Sequence, residues 1–268
     1  MNGLCVVRGG GDLATGVVWR LRRSGVPVVV TELAHPRAIR RTVALSTAVD
    51  NGSVIVEGLE AVLTATADDI DGIVATGRIP VVVDPDLSQV RAASPISTVI
   101  DARLAKHVGD TTIDMADLVV ALGPGFTAGR DCHAVIETQR GHRLGRVIWQ
   151  GSAIENTGRP APIGGHGEDR VLRAAIEGTV SWSCAIGDVV SSGTELGVIS
   201  SADQIHPITA PFTGVVRGAI ADGFHVWTGL KIADIDPRCE PSACWEISDK
   251  ALAIGGGVVE AVMARREP

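Results

Sequence analysis

Four neighbouring side chains, Arg130, Asp131, Cys132 and His133, are of the types that nucleophilic chemistry uses. A cysteine beside a histidine and an arginine at a loop edge is where a thiol pKa falls and a reactive thiolate forms. Adjacent side chains on a strand point to opposite faces, however, so Cys132 and His133 need not meet. A small buried cysteine at the start of a strand fits the same residues. A second set lies near the N-terminus, at Gly9, Gly10 and Gly11. Gly9-x-Gly11-x-x-Ala14 matches the relaxed form of a dinucleotide fingerprint. Glycine there lets the backbone approach a pyrophosphate, and the helix that follows aims its free N–H groups at the anion. Glu32 lies about 20 residues on, where an acid can take a ribose hydroxyl. Asp12 caps such a helix but puts negative charge where phosphate would sit, so the turn either binds a nucleotide or is only tight. Arg37, Arg40 and Arg41 could hold phosphates through bidentate guanidinium pairing, or form a solvated helix face. No Cys-x-x-Cys or His-x-x-x-His spacing occurs, and Cys239 and Cys244 have no second pair, so no metal site is expected.

These residues need elements to position them. Val6 and Val7 lead into the glycines, Leu13, Val17 and Leu21 recur at helical spacing, and Val26 to Val30 form a second apolar run. The order is strand, glycine turn, helix, strand. Unalternating β-branched runs follow at Ile79 to Asp84, Ser97 to Asp101 and Asp117 to Leu122, which suits a parallel sheet covered on both faces. The fold expected over residues 1–160 is therefore α/β, a Rossmann-like, mostly parallel sheet that binds a nucleotide or cofactor. Ligands on such sheets bind at the carboxyl ends of the strands, where Glu32, Asp84, Asp101 and the loop after Leu122 would gather. Ala134 to Thr138 and Gly145 to Trp149 read as a hairpin.

Pro160 to Gly167 reads as a linker. Beyond it an internal repeat runs at an offset of about 36 residues. It relates Ala174 to Ala210, Gly178 to Gly214, Val180 to Val216, Val190 to Val226 and Leu196 to Ile232. Two such halves predict a small all-β domain over residues 168–240. Ala210-Pro-Phe-Thr-Gly-Val-Val resembles the biotinyl/lipoyl domains, a barrel-sandwich hybrid, but the hairpin between the halves holds no lysine for a swinging arm. Residues 241–268 read as a C-terminal helix with Ser248 as its N-cap, returning to the first domain. Gly255, Gly256 and Gly257 would suit close packing on another backbone.

The chain of 268 residues carries 45% hydrophobic and 21% charged residues and a net charge of −7. An acidic chain with no basic tract excludes nucleic acid as its main partner. No apolar run is long enough to span a bilayer and the N-terminus has no signal-peptide plan, so no membrane role and a cytoplasmic location are expected. Five scattered cysteines fit free thiols.

Several stretches together resemble one family. They are Arg8-Gly-Gly-Gly-Asp-Leu-Ala-Thr-Gly16, Thr31-Glu-Leu, Ile39-Arg-Arg-Thr-Val43, Gly123-Pro-Gly-Phe with Asp131-Cys-His, Glu137-Thr-x-Arg-Gly-His142, Asn156-Thr-Gly, Lys231 to Arg238 and Ile247 to Gly257. The family is the YqeB-type accessory proteins of selenium-dependent molybdenum hydroxylases. The resemblance implies maturation of such an enzyme. The apoenzyme or the cofactor-biosynthesis proteins would be its partners, with a homo-oligomer left open. A nucleotide such as NAD(P), or the molybdopterin cofactor, would be held by Gly9, Gly10, Gly11, Asp12, Glu32, Arg40, Arg41 and Asp101. Cys132 would pass on selenium or sulfur as a perselenide or persulfide, with His133, Arg130 and Asp131 around it. Two alternatives stand beside this: an NAD(P)-dependent oxidoreductase, and a cofactor-binding chaperone without chemistry.

Overall fold

β-Branched, valine-rich runs of five or six residues supply the central strands. The computed structural model describes residues 3–104, 109–155 and 163–264. Residues 156–158 of the Asn-Thr-Gly motif, 160–162 of the expected linker and 265–268 of the C-terminal segment lie outside the described residues. The chain divides into two units, one of residues 1–36, 44–157 and 247–268, the other of residues 37–43 and 158–246.

In the first unit the elements are β1 (Leu4–Arg8), α1 (Asp12–Arg23), β2 (Val28–Glu32), α2 (Thr47–Asn51), β3 (Ser53–Val56), β4 (Leu59–Thr64), α3 (Ile70–Ala75), β5 (Ile79–Val83), α4 (Ser88–Ala93), β6 (Ile96–Asp101), β7 (Leu118–Leu122), β8 (Thr127–Ala128), β9 (Ala134–Ile136), β10 (Val147–Ile148) and β11 (Gly151–Ser152). A nine-stranded sheet runs β10-β9-β7-β6-β1-β2-β5-β4-β3. β1 sits between β2 and β6, parallel to both, and Arg8 pairs in register with Asp101.

The Rossmann-like, mostly parallel class expected for this region is corrected by the pairing. The sheet is mixed, because β3 runs antiparallel to β4 at one edge and β10 antiparallel to β9 at the other. The reason at the first edge is local. Glu57 and Gly58 both have positive φ, 45° and 78°, as a two-residue hairpin turn requires, so the chain reverses instead of crossing over. An apolar run carries no sign of its direction.

One further helix, α5 (Asp249–Ala264), packs on α1 and on β7, β9 and β10. The Ser248 hydroxyl accepts the Ala251 N–H and caps it. Glycine lets the two helices touch backbone to backbone: a Cβ at Gly16 would lie 2.5 Å from the Ala251 carbonyl oxygen, and one at Gly255 would lie 2.5 Å from that of Gly16.

The second unit holds β12 (Val171–Arg173), β13 (Gly178–Trp182), β14 (Val189–Val190), β15 (Glu195–Ser200), β16 (Ile205–Thr209), β17 (Gly214–Ala219), β18 (His225–Val226) and β19 (Lys231–Asp236). The expected barrel-sandwich hybrid is corrected here. The strands form two separate four-stranded antiparallel sheets, β12-β19-β17-β14 and β16-β15-β13-β18, each ending in a two-residue edge strand. The repeat survives the correction. Ala174 and Ala210, Val180 and Val216, Val190 and Val226, and Leu196 and Ile232 all lie in one buried apolar cluster.

Candidate functional site

The carboxyl edge of the nine-stranded sheet gathers the polar residues of the first unit. β1 ends at Arg8, and the backbone then turns at Gly9, whose φ of +91° favours glycine. The next two glycines differ sharply. A Cβ on Gly10 would stand 2.7 Å from the Ser46 nitrogen, whereas one on Gly11 would meet nothing within 4 Å. The turn is thus covered on one side and open on the other. α1 starts at the open side, with Gly11 as N-cap and no side chain capping it, so its first-turn amides face an uncapped end.

Glu32, at the end of β2, is fixed on the same turn. Its Oε2 accepts the Gly10 N–H at 2.8 Å and its Oε1 accepts the Leu33 N–H at 2.8 Å. Each oxygen keeps a lone pair for a hydroxyl donor. Asp12 opens α1.

Asp101 closes β6 and is wholly buried. Its Oδ1 accepts from Arg103 Nε at 3.1 Å and its Oδ2 from Arg103 Nη2 at 2.6 Å and the Thr111 hydroxyl at 2.7 Å. Arg8, 1% exposed, donates to Thr111 Oγ1 at 2.6 Å, the Pro85 carbonyl at 2.7 Å and Asp110 Oδ2 at 2.6 Å. Arg103 Nη1 reaches Asp110 Oδ1 at 2.8 Å. Burial alone would raise the Asp110 carboxyl, but hydrogen bonds from Arg8 and Arg103 outweigh it and hold the pKa well below the usual carboxylate range. For Asp101 too, burial is outweighed by Arg103 and the pKa is lowered. Asp84 accepts from Ser88 Oγ and the Val90 N–H, so it pins the start of α4.

The thiol loop is corrected as a reacting group. Cys132 has 0% exposure and packs in the apolar cluster with Val119, Phe126 and Val135. Burial, and then the charge of Asp131, push its pKa up to about 12, the reverse of what a thiolate nucleophile needs. Its neighbours serve the loop. His133 Nδ1 accepts the Val119 N–H at 2.9 Å, Asp131 accepts the Thr127 N–H at 2.8 Å, and the exposed Arg130 pairs with Asp131 at 2.9 Å.

Arg40 and Arg41 are corrected as phosphate ligands of the turn. Both belong to the second unit. Arg40 donates to the carbonyls of Ala243 and Glu246, and Arg41 to that of Ala219. Of the residues named from sequence, the structure brings together Gly9, Gly10, Gly11, Asp12, Glu32 and Asp101.

Sequence reasoning missed Arg8, Arg103, Asp110 and Lys250. Arg8 carried a signal, a charge closing an otherwise apolar strand directly before the glycines, and Asp101-x-Arg103 is a strand-end pair that recurs at Asp236-x-Arg238. Lys250 carried none. Burial lowers its pKa, with Arg140 adding to the effect and Asp12, Glu137 and Asp249 opposing it. Arg140 is held in turn by Asp249 at 2.6 and 3.0 Å. Among the described residues no group of three or more His, Cys, Asp or Glu side chains could hold a metal ion, and no helix is long and apolar enough to cross a membrane.

No family profile matches the chain. Over 260 residues, 97% of its length, it is 48% identical to an Escherichia coli (strain K12) protein described as uncharacterized protein YqeB. It spans about half of that relative, 47% of its length. Among solved structures, a succinylglutamate desuccinylase from Silicibacter overlaps 87% of this chain and 84% of its own at 11% identity, with a TM-score of 0.28. An aspartoacylase family protein from Mesorhizobium loti overlaps 81% and 59% at 14% identity, with a TM-score of 0.25. Overlaps as loose as these assign no fold.

Proposed function

Since this chain is of the YqeB type over nearly its whole length, we propose that it is an accessory protein that holds a nucleotide-bearing cofactor and presents it to a molybdenum hydroxylase. The reading rests on one observation, the open and uncapped start of α1 in front of Gly11, with Glu32 fixed beside it. A pyrophosphate suits an uncapped helix start that no Cβ obstructs, and ribose hydroxyls suit the spare lone pairs of Glu32. A 2′-phosphate would be repelled by the same carboxylate. The dinucleotide form of the molybdenum cofactor, which the family resemblance implies, meets these requirements and would supply the redox chemistry of the recipient enzyme. Gly9, Gly10 and Gly11 would bind it and Glu32 would orient its ribose. Delivery of selenium or sulfur through Cys132 forms no part of this reading, because the thiol is sealed in hydrocarbon. The cytoplasm is the proposed location, in keeping with five cysteines that form no disulfide among the described residues.

Gly11→Leu tests the proposal, since the added side chain enters open space. Native mass spectrometry of the purified chain, with titrations of NADH, NADPH and CMP, is expected to show a nucleotide adduct on the native chain. Gly11→Leu should lose it while keeping its far-ultraviolet spectrum. NADPH should bind more weakly than NADH, and bound NADH should not be oxidised. No adduct at all, or one that survives in Gly11→Leu, would sink the proposal.

A further inference from the structure

We propose that Arg8 and Arg103 form an anion subsite beside the glycine turn, fitted to a phosphate or diphosphate group, and that the Asp110 carboxylate is the group an incoming anion displaces. The subsite rests on the nucleotide reading above and names the residues that would hold its phosphate end.

Two guanidiniums and two carboxylates meet here, and the two acids are held differently. Asp101 is inaccessible, and beyond Arg103 its oxygens take the Thr111 hydroxyl and the Arg103 backbone N–H. It cannot leave without stranding several donors. The Asp110 side chain is 50% exposed, and its described hydrogen bonds go to the two arginines alone. Rotation about its side-chain bonds carries it into water. What remains is the Asp101 carboxylate paired with Arg103, and the Arg8 guanidinium joined to both through the Thr111 hydroxyl, a net charge of one positive unit. A phosphate supplies more acceptor oxygens than a carboxylate and matches the guanidinium fork. The site is also one acceptor short as it stands, because Arg8 Nε is buried with no hydrogen-bond partner among the described residues. Contiguity with the turn follows from one distance: a Cβ on Gly9 would lie 3.2 Å from Arg103 Cγ. Arg103 therefore lies against the backbone that leads to the open start of α1.

Calorimetric titration of the full chain with inorganic pyrophosphate tests the subsite. Asp110→Asn keeps the side chain's shape and removes its charge, and should tighten pyrophosphate binding about fivefold, the size of one modest ionic contact. Adding Arg103→Gln should abolish that gain. An unchanged affinity in Asp110→Asn, or a gain that persists without Arg103, would overturn the proposal. Should Asp110→Asn fail to fold, the native chain decides. The Asp110 carboxyl ¹³C resonance should move towards its solvated position as pyrophosphate saturates, and a resonance that stays still would refute displacement. The outcomes separate from those for the nucleotide. A gain with pyrophosphate and no nucleotide adduct would leave the subsite standing without the cofactor reading. An adduct lost in Gly11→Leu, with no effect of Asp110→Asn, would do the reverse.

Discussion

The chain closes two strands with the same clasp. Asp101-Ala102-Arg103 ends β6 and Asp236-Pro237-Arg238 ends β19. In both, the arginine folds back on its aspartate with Nη2 at 2.6 Å and Nε at 3.0–3.1 Å, and donates its backbone N–H at 3.1 Å. The surroundings differ. At β6, Arg8 stands in register beside Asp101, and Thr111 and Asp110 close hydrogen bonds of 2.6–3.0 Å to both arginines. At β19, Arg217 approaches Asp234 and Asp236 only to 3.8 Å. Three residues suffice to make the clasp. At β6, where a parallel neighbour ends in arginine, the second guanidinium comes within hydrogen-bond distance and shares a half-exposed carboxylate with the first.

The largest effect that can break this comparison comes from deleting the aspartates. Asp101→Ala strands the buried Thr111 hydroxyl and part of Arg103 and should cost about 3–5 kcal/mol, as when one partner of a buried ion pair is removed. Asp236→Ala leaves an arginine whose side chain is 43% exposed, and should cost about 1–3 kcal/mol. Denaturant unfolding measures both, and equal losses would erase the distinction.

A smaller contrast sharpens the picture of the adjoining turn. Gly10→Ala drives a Cβ into the Ser46 backbone and should cost about 1–3 kcal/mol. Gly11→Ala enters open space and should stay within about 0.5 kcal/mol of the native chain. Matching melting temperatures for the two would contradict an open side.

The smallest effect separates this edge from the thiol loop. The folded pKa of Cys132 is raised above that of an ordinary thiol, so the stability it contributes is complete below about pH 9 and is lost as pH climbs towards about 12. At pH 8 iodoacetamide should leave Cys132 unmodified until the chain unfolds. Rapid labelling of the native protein would reopen the question of its reactivity.

Much of the carboxyl edge was legible in the sequence. Gly9 to Gly11 and Glu32 were readable because a turn and its acid are set by short-range spacing. The reading failed at Cys132 because burial depends on what folds over a loop: its neighbours in sequence are polar, yet its neighbours in space are Val119, Phe126 and Val135. Arg40 and Arg41 misled for a related reason. They follow β2 closely in sequence, but the chain leaves the first unit at residue 37 and returns at 44, and Arg40 Nη2 and Arg41 Nε donate to carbonyls of the second unit, to which both residues belong.

By itself the sequence determined the strands, the glycine turn, the repeat and the Asp-x-Arg clasps, because each depends on residues within a few positions of one another or on a period. The tertiary structure alone decided strand direction at the sheet edges, the burial of the thiol and the meeting of Arg8, Arg103 and Asp110. Those outcomes depend on which segments pair and what covers them, and residues far apart in sequence acquire a common electrostatic environment only when a sheet sets them side by side.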